Sequence, residues 1–160
     1  MKKMRMVLVV LAVALPLSVA AAVFTGPPSP AADFTLKDTG NQQVALSEYR
    51  GKNAVLLFFW TTWCPYCRNE LKELQKRYPA LAADGIVVLA VNTGETPGRV
   101  DSYIKDKNLP FRVLLDRDGD VASSYRVQGV PTFILLNKEG SVVLDEHSFP
   151  YEGYKKSFVK

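Results

Sequence analysis

Two cysteines, Cys64 and Cys67, have the side chains in this 160-residue chain with the clearest capacity for chemistry. They are its only cysteines, and Pro65 and Tyr66 lie between them. A disulfide across so short a loop removes little entropy from the unfolded chain, so it would stabilise the fold weakly but open and close readily. The spacing therefore favours a redox-active dithiol over a structural disulfide, with Pro65 and Tyr66 expected to tune its reduction potential.

The elements predicted around the pair support the same interpretation. Ala54–Trp60 is a continuous apolar run of strand length, which predicts a strand buried on both faces. Apolar residues then recur at helical spacing, which predicts an amphipathic helix over Pro65–Ala83. The free N–H groups and dipole at the start of that helix stabilise a thiolate. We expect Cys64 to be exposed there and to attack, and Cys67, one turn further on, to resolve the mixed disulfide.

Metal binding is the competing chemistry for a cysteine pair. A tetrahedral zinc site needs four ligands, and this chain offers one cysteine pair and a single histidine, His147. We therefore expect neither a metal nor a cofactor.

The first 24 residues have the pattern of an export signal. Basic side chains within residues 2–5 precede an apolar stretch at 7–17, and the small residues at 18–22 offer cleavage sites. An uncleaved membrane anchor is the alternative, because the longer stretch Val7–Phe24 has 18 residues, near the lower limit of about 17–25 for a membrane span. Either form places the rest of the chain outside the cytoplasm, in the periplasm or on the outer face of the cytoplasmic membrane.

The charge of the chain argues against one class of partner. The formal net charge is +4, and the export segment contributes three basic residues and no acid. The remainder is therefore close to neutral, so we expect no nucleic-acid binding. Nothing in the composition suggests more than a monomer.

Beyond the export segment, residues 25–32 are rich in proline and glycine and predict a linker, followed by one folded domain over residues 33–160. Strands and helices alternate in that domain, which predicts an α/β sandwich around one sheet. Strands are predicted at residues 33–36, 43–46, 54–60, 86–91, 111–115, 132–136 and 141–144, and helices at 65–83, 97–108, 121–125 and 151–160.

Two motifs resemble those of a known superfamily. Residues 59–67, Phe-Trp-Thr-Thr-Trp-Cys-Pro-Tyr-Cys, resemble the active-site segment of the thioredoxin superfamily, and residues 129–132, Gly-Val-Pro-Thr, resemble its cis-proline loop. The segments at 31–36 and 46–52 and the helix at 97–108 narrow the resemblance to the TlpA/ResA-like envelope oxidoreductases. The resemblance spans residues 31–143 and implies a thioredoxin-like fold, a central mixed β-sheet flanked by helices.

The resemblance also implies a substrate-binding loop. Pro131, if cis as in the family, places the backbone of Val130 and Thr132 beside Cys64, where a substrate peptide can pair like an added strand. The alternative for Pro131 is an ordinary turn proline. Trp63 is expected to shield the disulfide and contact partners, with a place in the core as its alternative.

The chain differs from thioredoxin in the acidic residues near its cysteines. Thioredoxin carries a buried acid six residues before its first cysteine, and that position is Phe58 here. Glu70 matches an acid that influences cysteine protonation in ResA-like members, so Glu70 or water is the expected proton acceptor for Cys67. A solvated helix charge is the alternative for Glu70.

These features predict a thiol–disulfide oxidoreductase that acts on thiol- or disulfide-bearing envelope proteins. The resemblance favours the reducing direction, for example in cytochrome c maturation, with electrons from a membrane thiol donor. A disulfide-forming oxidase and a non-catalytic binding module on the same scaffold are the alternatives. A peroxidase of this fold would need Pro-x-x-x-Thr-x-x-Cys, and Leu57 occupies the proline position.

Overall fold

The computed structural model describes residues 30–158. The predicted signal or anchor, residues 1–24, and most of the predicted linker lie outside these residues. The strands are β1 (Thr35–Asp38), β2 (Gln43–Ala45), β3 (Ala54–Trp60), β4 (Ile86–Thr93), β5 (Arg112–Asp116), β6 (Thr132–Leu136) and β7 (Val142–Glu146). The helices are α1 (Pro65–Ala83), α2 (Pro97–Ile104) and α3 (Asp120–Ser124), with 3-10 turns at Leu46–Glu48 and Tyr154–Phe158.

The seven strands form one sheet in the order β2-β1-β5-β4-β3-β6-β7. The three central strands, β5, β4 and β3, are parallel, whereas β6 runs antiparallel to β3 and β1 antiparallel to β5. The predicted α/β fold with a central mixed sheet is thus confirmed. Because β3 and β4 are parallel neighbours, with Trp60 opposite Asn92, the loops that follow them lie at the same edge of the sheet.

Side chains of β3 alternate between two buried layers, as the period of a strand requires. Phe58 and Trp60 belong to the layer that α1 covers, together with Leu71 and Leu74. Phe59 and its alternate neighbours belong to the layer on the other face, beneath α3. Cys64 and Cys67 lie in the α1 layer. The uninterrupted apolar sequence of β3 therefore packs into a core on each face of the sheet. This packing fixes the position of β3, and with it the loop that follows at the edge of the sheet.

Two predicted helices differ from the structure. The second helix was expected over residues 97–108, but α2 ends at Ile104. Asn108 has a left-handed φ of 47°, and Leu109 precedes Pro110, a position that disfavours helical backbone. The final helix expected over residues 151–160 is a 3-10 turn at Tyr154–Phe158.

The last residues of the predicted linker lie against the domain. The Ala31 N–H donates a hydrogen bond to the carbonyl of Gly140 at 2.8 Å. The hydroxyl of Tyr125 donates to the carbonyl of Ala32 at 2.6 Å. Over residues 30–158, the structure contains no helix with the length and apolar character that crossing a membrane requires.

Candidate active site

The loop after β3 leads directly into α1, and Cys64 is the N-cap residue of that helix. Its sulfur accepts a hydrogen bond from the backbone N–H of Cys67 at 3.2 Å, in the place of the oxygen that usually caps a helix. Pro65 occupies the first helical position, where a missing N–H costs nothing. The cysteine spacing therefore closes the first turn of α1 on the sulfur of Cys64.

The structure corrects the expected exposure of Cys64. Its side chain is only 4% exposed, whereas Trp63 is 58% and Tyr66 76% exposed. The sulfur turns inward because its thiol donates to the carbonyl of Val130 at 3.6 Å, across from the N–H of Cys67. The peptide bond between Val130 and Pro131 is cis. The cis-proline loop and the cysteine pair are thus brought together, with two exposed aromatic side chains beside them.

Cys67 is fully buried beneath Cys64, and both thiols are free. Burial, followed by the hydrogen bond with Cys64, raises the pKa of Cys67 to about 12. The Cys67 thiol therefore stays protonated at neutral pH. This order of accessibility agrees with attack by Cys64 and resolution by Cys67.

No acid lies at the position where thioredoxin has one. Phe58 is fully buried there and stacks between Trp60 and Phe133, with ring centroids 6.4 and 4.7 Å away. The three rings belong to the same buried cluster as Cys64 and Cys67, so this part of the core is apolar. A proton acceptor for Cys67 must come from another direction.

Glu70 is half-buried on α1, beside Tyr151 and Ser148 of the C-terminal segment. Burial raises the pKa of its carboxyl above the usual value. Within residues 30–158, its Oε2 atom is buried without a hydrogen-bond partner. Glu70 is therefore more enclosed than a solvated helix charge.

A buried carboxylate that the sequence did not single out holds the loop before Cys64. Glu95, in the loop after β4, is only 7% exposed. Thr62 donates its backbone N–H to Oε2 at 2.6 Å and its hydroxyl to Oε1 at 2.7 Å. Asn92 donates to Oε2 and Arg99 Nε to Oε1, each at 2.8 Å. Burial alone would raise the pKa of Glu95, but these hydrogen bonds and the Arg99 charge hold it below its usual range.

Two arginines fasten the same loop from outside. Arg68 Nε donates to the carbonyl of Thr62 at 2.9 Å, and Arg99 Nε lies 3.2 Å from the Thr62 hydroxyl. The Arg68 guanidinium also lies over the ring of Tyr103, 5.8 Å from its centroid, and Lys107 Nζ lies 4.2 Å from the same centroid. Thr62 thus has its N–H, hydroxyl and carbonyl all engaged two residues before Cys64.

His147 makes a comparable contact with the cis-proline loop. The hydroxyl of Thr132, a buried residue, donates to the carbonyl of Gly129 at 2.7 Å. His147 Nδ1 lies 2.9 Å from the Pro131 carbonyl and 3.2 Å from the Thr132 hydroxyl oxygen. Because both oxygens can only accept there, Nδ1 carries the proton and donates to Pro131. Nε2, the other nitrogen of the exposed His147 ring, does not take part in this contact.

Two signals in the sequence point to these missed residues. Glu95 follows β4 after one glycine, Gly94, and the ends of adjacent parallel strands share an edge of the sheet. His147 is the single histidine and follows β7 directly, beside the start of β6. For metal binding, residues 30–158 bring together no cluster of three or more histidine, cysteine or acidic side chains.

Comparisons with known proteins agree with this site. Residues 27–144 match the AhpC/TSA family. The thiol-disulfide oxidoreductase ResA of Bacillus subtilis is 37% identical over 142 residues, 86% of this chain and 79% of that protein. ResA of Geobacillus kaustophilus is 39% identical over 114 residues, which is 71% of this chain but only 65% of that protein, just under two thirds of its length.

A solved structure shows the same fold. The thioredoxin domain of a thiol-disulfide oxidoreductase from Bacteroides vulgatus superposes with a TM-score of 0.72 and 29% identity, over 84% of this chain and 99% of that domain. The family match, residues 27–144, covers both the cysteine pair and the cis-proline loop. The chain belongs to the AhpC/TSA family, has a thioredoxin-like fold and is a thiol–disulfide oxidoreductase of the ResA type.

Proposed function

We propose that the chain reduces disulfides of envelope proteins outside the cytoplasm and is itself recharged by a membrane thiol donor. The observation that carries this proposal is the arrangement of the pair: Cys64 caps α1 beside the cis-proline loop, and Cys67 is fully buried. Cys64 can therefore attack a bound disulfide, while Cys67 is held protonated until it resolves the mixed disulfide. The reducing direction is what the resemblance to ResA-like oxidoreductases implies.

The reaction proceeds by two exchanges at sulfur. The Cys64 thiolate attacks a substrate disulfide, so that a mixed disulfide forms and one substrate sulfur leaves as a thiolate and takes up a proton. Cys67 then loses its proton and attacks Cys64 Sγ, which closes the Cys64–Cys67 disulfide and releases the second substrate thiol. Two electrons and two protons pass from the protein dithiol to the substrate. A donor dithiol reverses these steps to restore the enzyme.

The substrate-binding roles of Val130 and Thr132 belong to the same proposal. The Val130 carbonyl lies against the Cys64 thiol, so a segment that pairs with this backbone brings its sulfur to Cys64. Thr132 is buried and supports the loop through Gly129 rather than reaching the surface. Trp63 and Tyr66 offer apolar area to the residues next to the substrate disulfide.

The reduction potential of the Cys64–Cys67 couple tests the direction. The purified chain is equilibrated with dithiothreitol or glutathione buffers and the oxidised fraction is determined by trapping free thiols. A value below about −250 mV supports a reductase, such as one that acts in cytochrome c maturation. A value of roughly −180 mV or higher would overturn the direction and support a disulfide-forming oxidase.

The location is tested separately at the N-terminus. The mass of the chain from fractionated cells is compared with the masses expected after cleavage at residues 20–22 and without cleavage. Cleaved chain in the periplasm supports a signal peptide, and intact chain in the membrane fraction supports an anchor. Intact chain in the cytoplasmic fraction would contradict export.

A further inference from the structure

The surface next to Cys64 combines exposed aromatic rings with cations. Trp63 and Tyr66, on either side of Cys64 in the sequence, are both mostly exposed. Arg68 lies one turn further along α1, and its backbone N–H donates to the Cys64 carbonyl at 3.2 Å. Arg99 reaches the same loop from α2 with its side chain 59% exposed. Aromatic area and guanidinium groups therefore meet at the attacking cysteine.

The arginines hold the loop with one nitrogen each, which leaves the others for a partner. Arg68 bonds the Thr62 carbonyl through Nε, and Arg99 bonds Glu95 and Thr62 through Nε. A guanidinium has further N–H donors on its two terminal nitrogens. Both side chains are exposed, so these terminal groups face solvent beside the cysteine pair.

The balance of charge on this surface is positive. Glu95 is buried and its charge is matched by Arg99. Over residues 30–158, Arg68 and Lys107 form no ion pair, although both lie against the ring of Tyr103. The first turn of α1 also has no acidic residue, so its positive end is uncompensated. A partner that brings carboxylates here replaces solvent around unpaired cations.

The nearby acidic residues do not pair with Arg68 or Lys107. Asp101 is two positions from Arg99 on α2 and so faces a different side of that helix. Glu70 is two positions from Arg68 on α1 and lies beside Tyr151 instead. Within the described residues, Asp106 forms no ion pair with Lys107 or the arginines.

We infer that the surface of Trp63, Tyr66, Arg68, Arg99 and Lys107 docks an acidic partner segment, one in which aspartate or glutamate residues flank the reactive cysteine. The carboxylates pair with the unpaired cations Arg68 and Lys107 and accept hydrogen bonds from the terminal nitrogens of Arg99. Apolar residues next to the cysteine pack on Trp63 and Tyr66. The inference rests on the proposed function and names the class of partner for the same site.

Three synthetic peptides test this recognition. Each is closed by one internal disulfide, and they differ only in flanking residues, which are glutamate, glutamine or lysine. The rate of reduction by the reduced full chain is measured after acid quench, and each rate is divided by the rate with dithiothreitol, which removes differences in intrinsic reactivity. We expect the glutamate peptide to react roughly 3–10-fold faster than the glutamine peptide, and the lysine peptide to react more slowly than either.

Salt and variants locate the effect. The preference should shrink as ionic strength rises from about 0.02 to about 0.5 M, since salt screens exposed charges. Lys107→Gln and Arg68→Gln should lower the rate with the glutamate peptide more than with the glutamine peptide. Lys138→Gln is the matched control, because Lys138 lies in the turn after β6, at the end of that strand away from Pro131. It should leave the preference unchanged.

The outcomes separate this inference from the proposed function. Equal normalised rates for the glutamate and glutamine peptides would overturn acidic recognition while leaving thiol exchange intact. A preference that survives in both the Arg68 and Lys107 variants would also overturn it. An Arg68→Gln variant that slows all peptides equally would show a role in holding Thr62 alone. Failure to reduce any of the peptides would contradict the proposed function itself.

Discussion

Glu95 accepts two hydrogen bonds from Thr62, one from its backbone N–H and one from its hydroxyl, although 33 residues separate them in the chain. This contact joins the loop after β4 to the loop that carries Cys64. Each oxygen of the carboxylate has a second donor, from Asn92 or Arg99. A buried charge with four donors is stable where an unpaired one would not be, so Glu95 acts as a positioning residue for the cysteine pair.

Glu95→Gln should lower the free energy of unfolding by about 2 kcal/mol, because hydrogen bonds to a charged group are worth roughly 1.5–3 kcal/mol and an amide nitrogen would face two donors. Urea denaturation of the reduced chain measures the change. Glu139→Gln, in the exposed turn after β6, is the matched control and should stay within about 0.5 kcal/mol of wild type. A change as small as the control's would show that the Glu95 contacts contribute little.

The stability difference between wild type and Glu95→Gln should depend on pH, and its direction can be predicted. Contacts in the folded state hold the pKa of Glu95 below its usual range, so the stabilisation is present above the unfolded pKa of about 4.3 and is lost as the pH falls through the folded value. The gap between wild type and Glu95→Gln should therefore be full at pH 6 and shrink below about pH 4.3. A gap that does not shrink on acidification would argue against the ionised carboxylate as its source.

The elements around the site were predictable because they depend on local sequence. The apolar run of β3 and the helical spacing of α1 predict both elements with the bounds that the structure has. The contact between Thr62 and Glu95 depends instead on which strands become neighbours, which no local pattern states. The burial of Cys64 likewise depends on Val130, which is 66 residues away. The sequence therefore predicted the cysteine pair at the centre of the site, but it did not predict the side chains that hold the pair in position.

Only Cys64 should react with iodoacetamide in the native reduced chain near pH 8. Cys67 is fully buried and burial raises its pKa to about 12, so it presents neither access nor a thiolate. Mass spectrometry should find one adduct, on Cys64, and a second only after unfolding in urea. Cys67→Ser should keep the native adduct, and Cys64→Ser should lose it. A native adduct on Cys67 would contradict the assignment of attacking and resolving thiols.

Glu70→Gln should stabilise the chain at pH 7 and flatten its pH dependence. Burial raises the pKa of Glu70, so the unfolded state releases this proton at lower pH than the folded state. The free energy of unfolding of the wild type therefore falls as the pH rises from the unfolded pKa of Glu70, about 4.3, to its raised folded value. Glutamine carries no proton to release, so urea midpoints of the variant should lack that fall. Glu139→Gln, in the exposed turn after β6, is the control and should retain the fall.

The same variant tests whether Glu70 exchanges protons with the cysteines. If it does, the slope of the reduction potential against pH should change between pH 5 and 8 in Glu70→Gln but not in Glu139→Gln. Unchanged slopes in both variants would confine Glu70 to a structural role beside Tyr151. Stability and potential thus report separately on the two roles that the sequence left open for Glu70.

His147→Ala should weaken substrate binding, whereas His147→Asn should leave it nearly unchanged. His147 Nδ1 donates to the Pro131 carbonyl at 2.9 Å, and alanine removes that donor from the cis-proline loop. One hydrogen bond is worth about 1 kcal/mol, so KM for a peptide disulfide should rise roughly 3–5-fold with little change in kcat. The side-chain nitrogen of asparagine occupies nearly the place of Nδ1, so His147→Asn should keep KM close to wild type. Equal KM values for the alanine and asparagine variants would show that the contact with Pro131 does not position the loop.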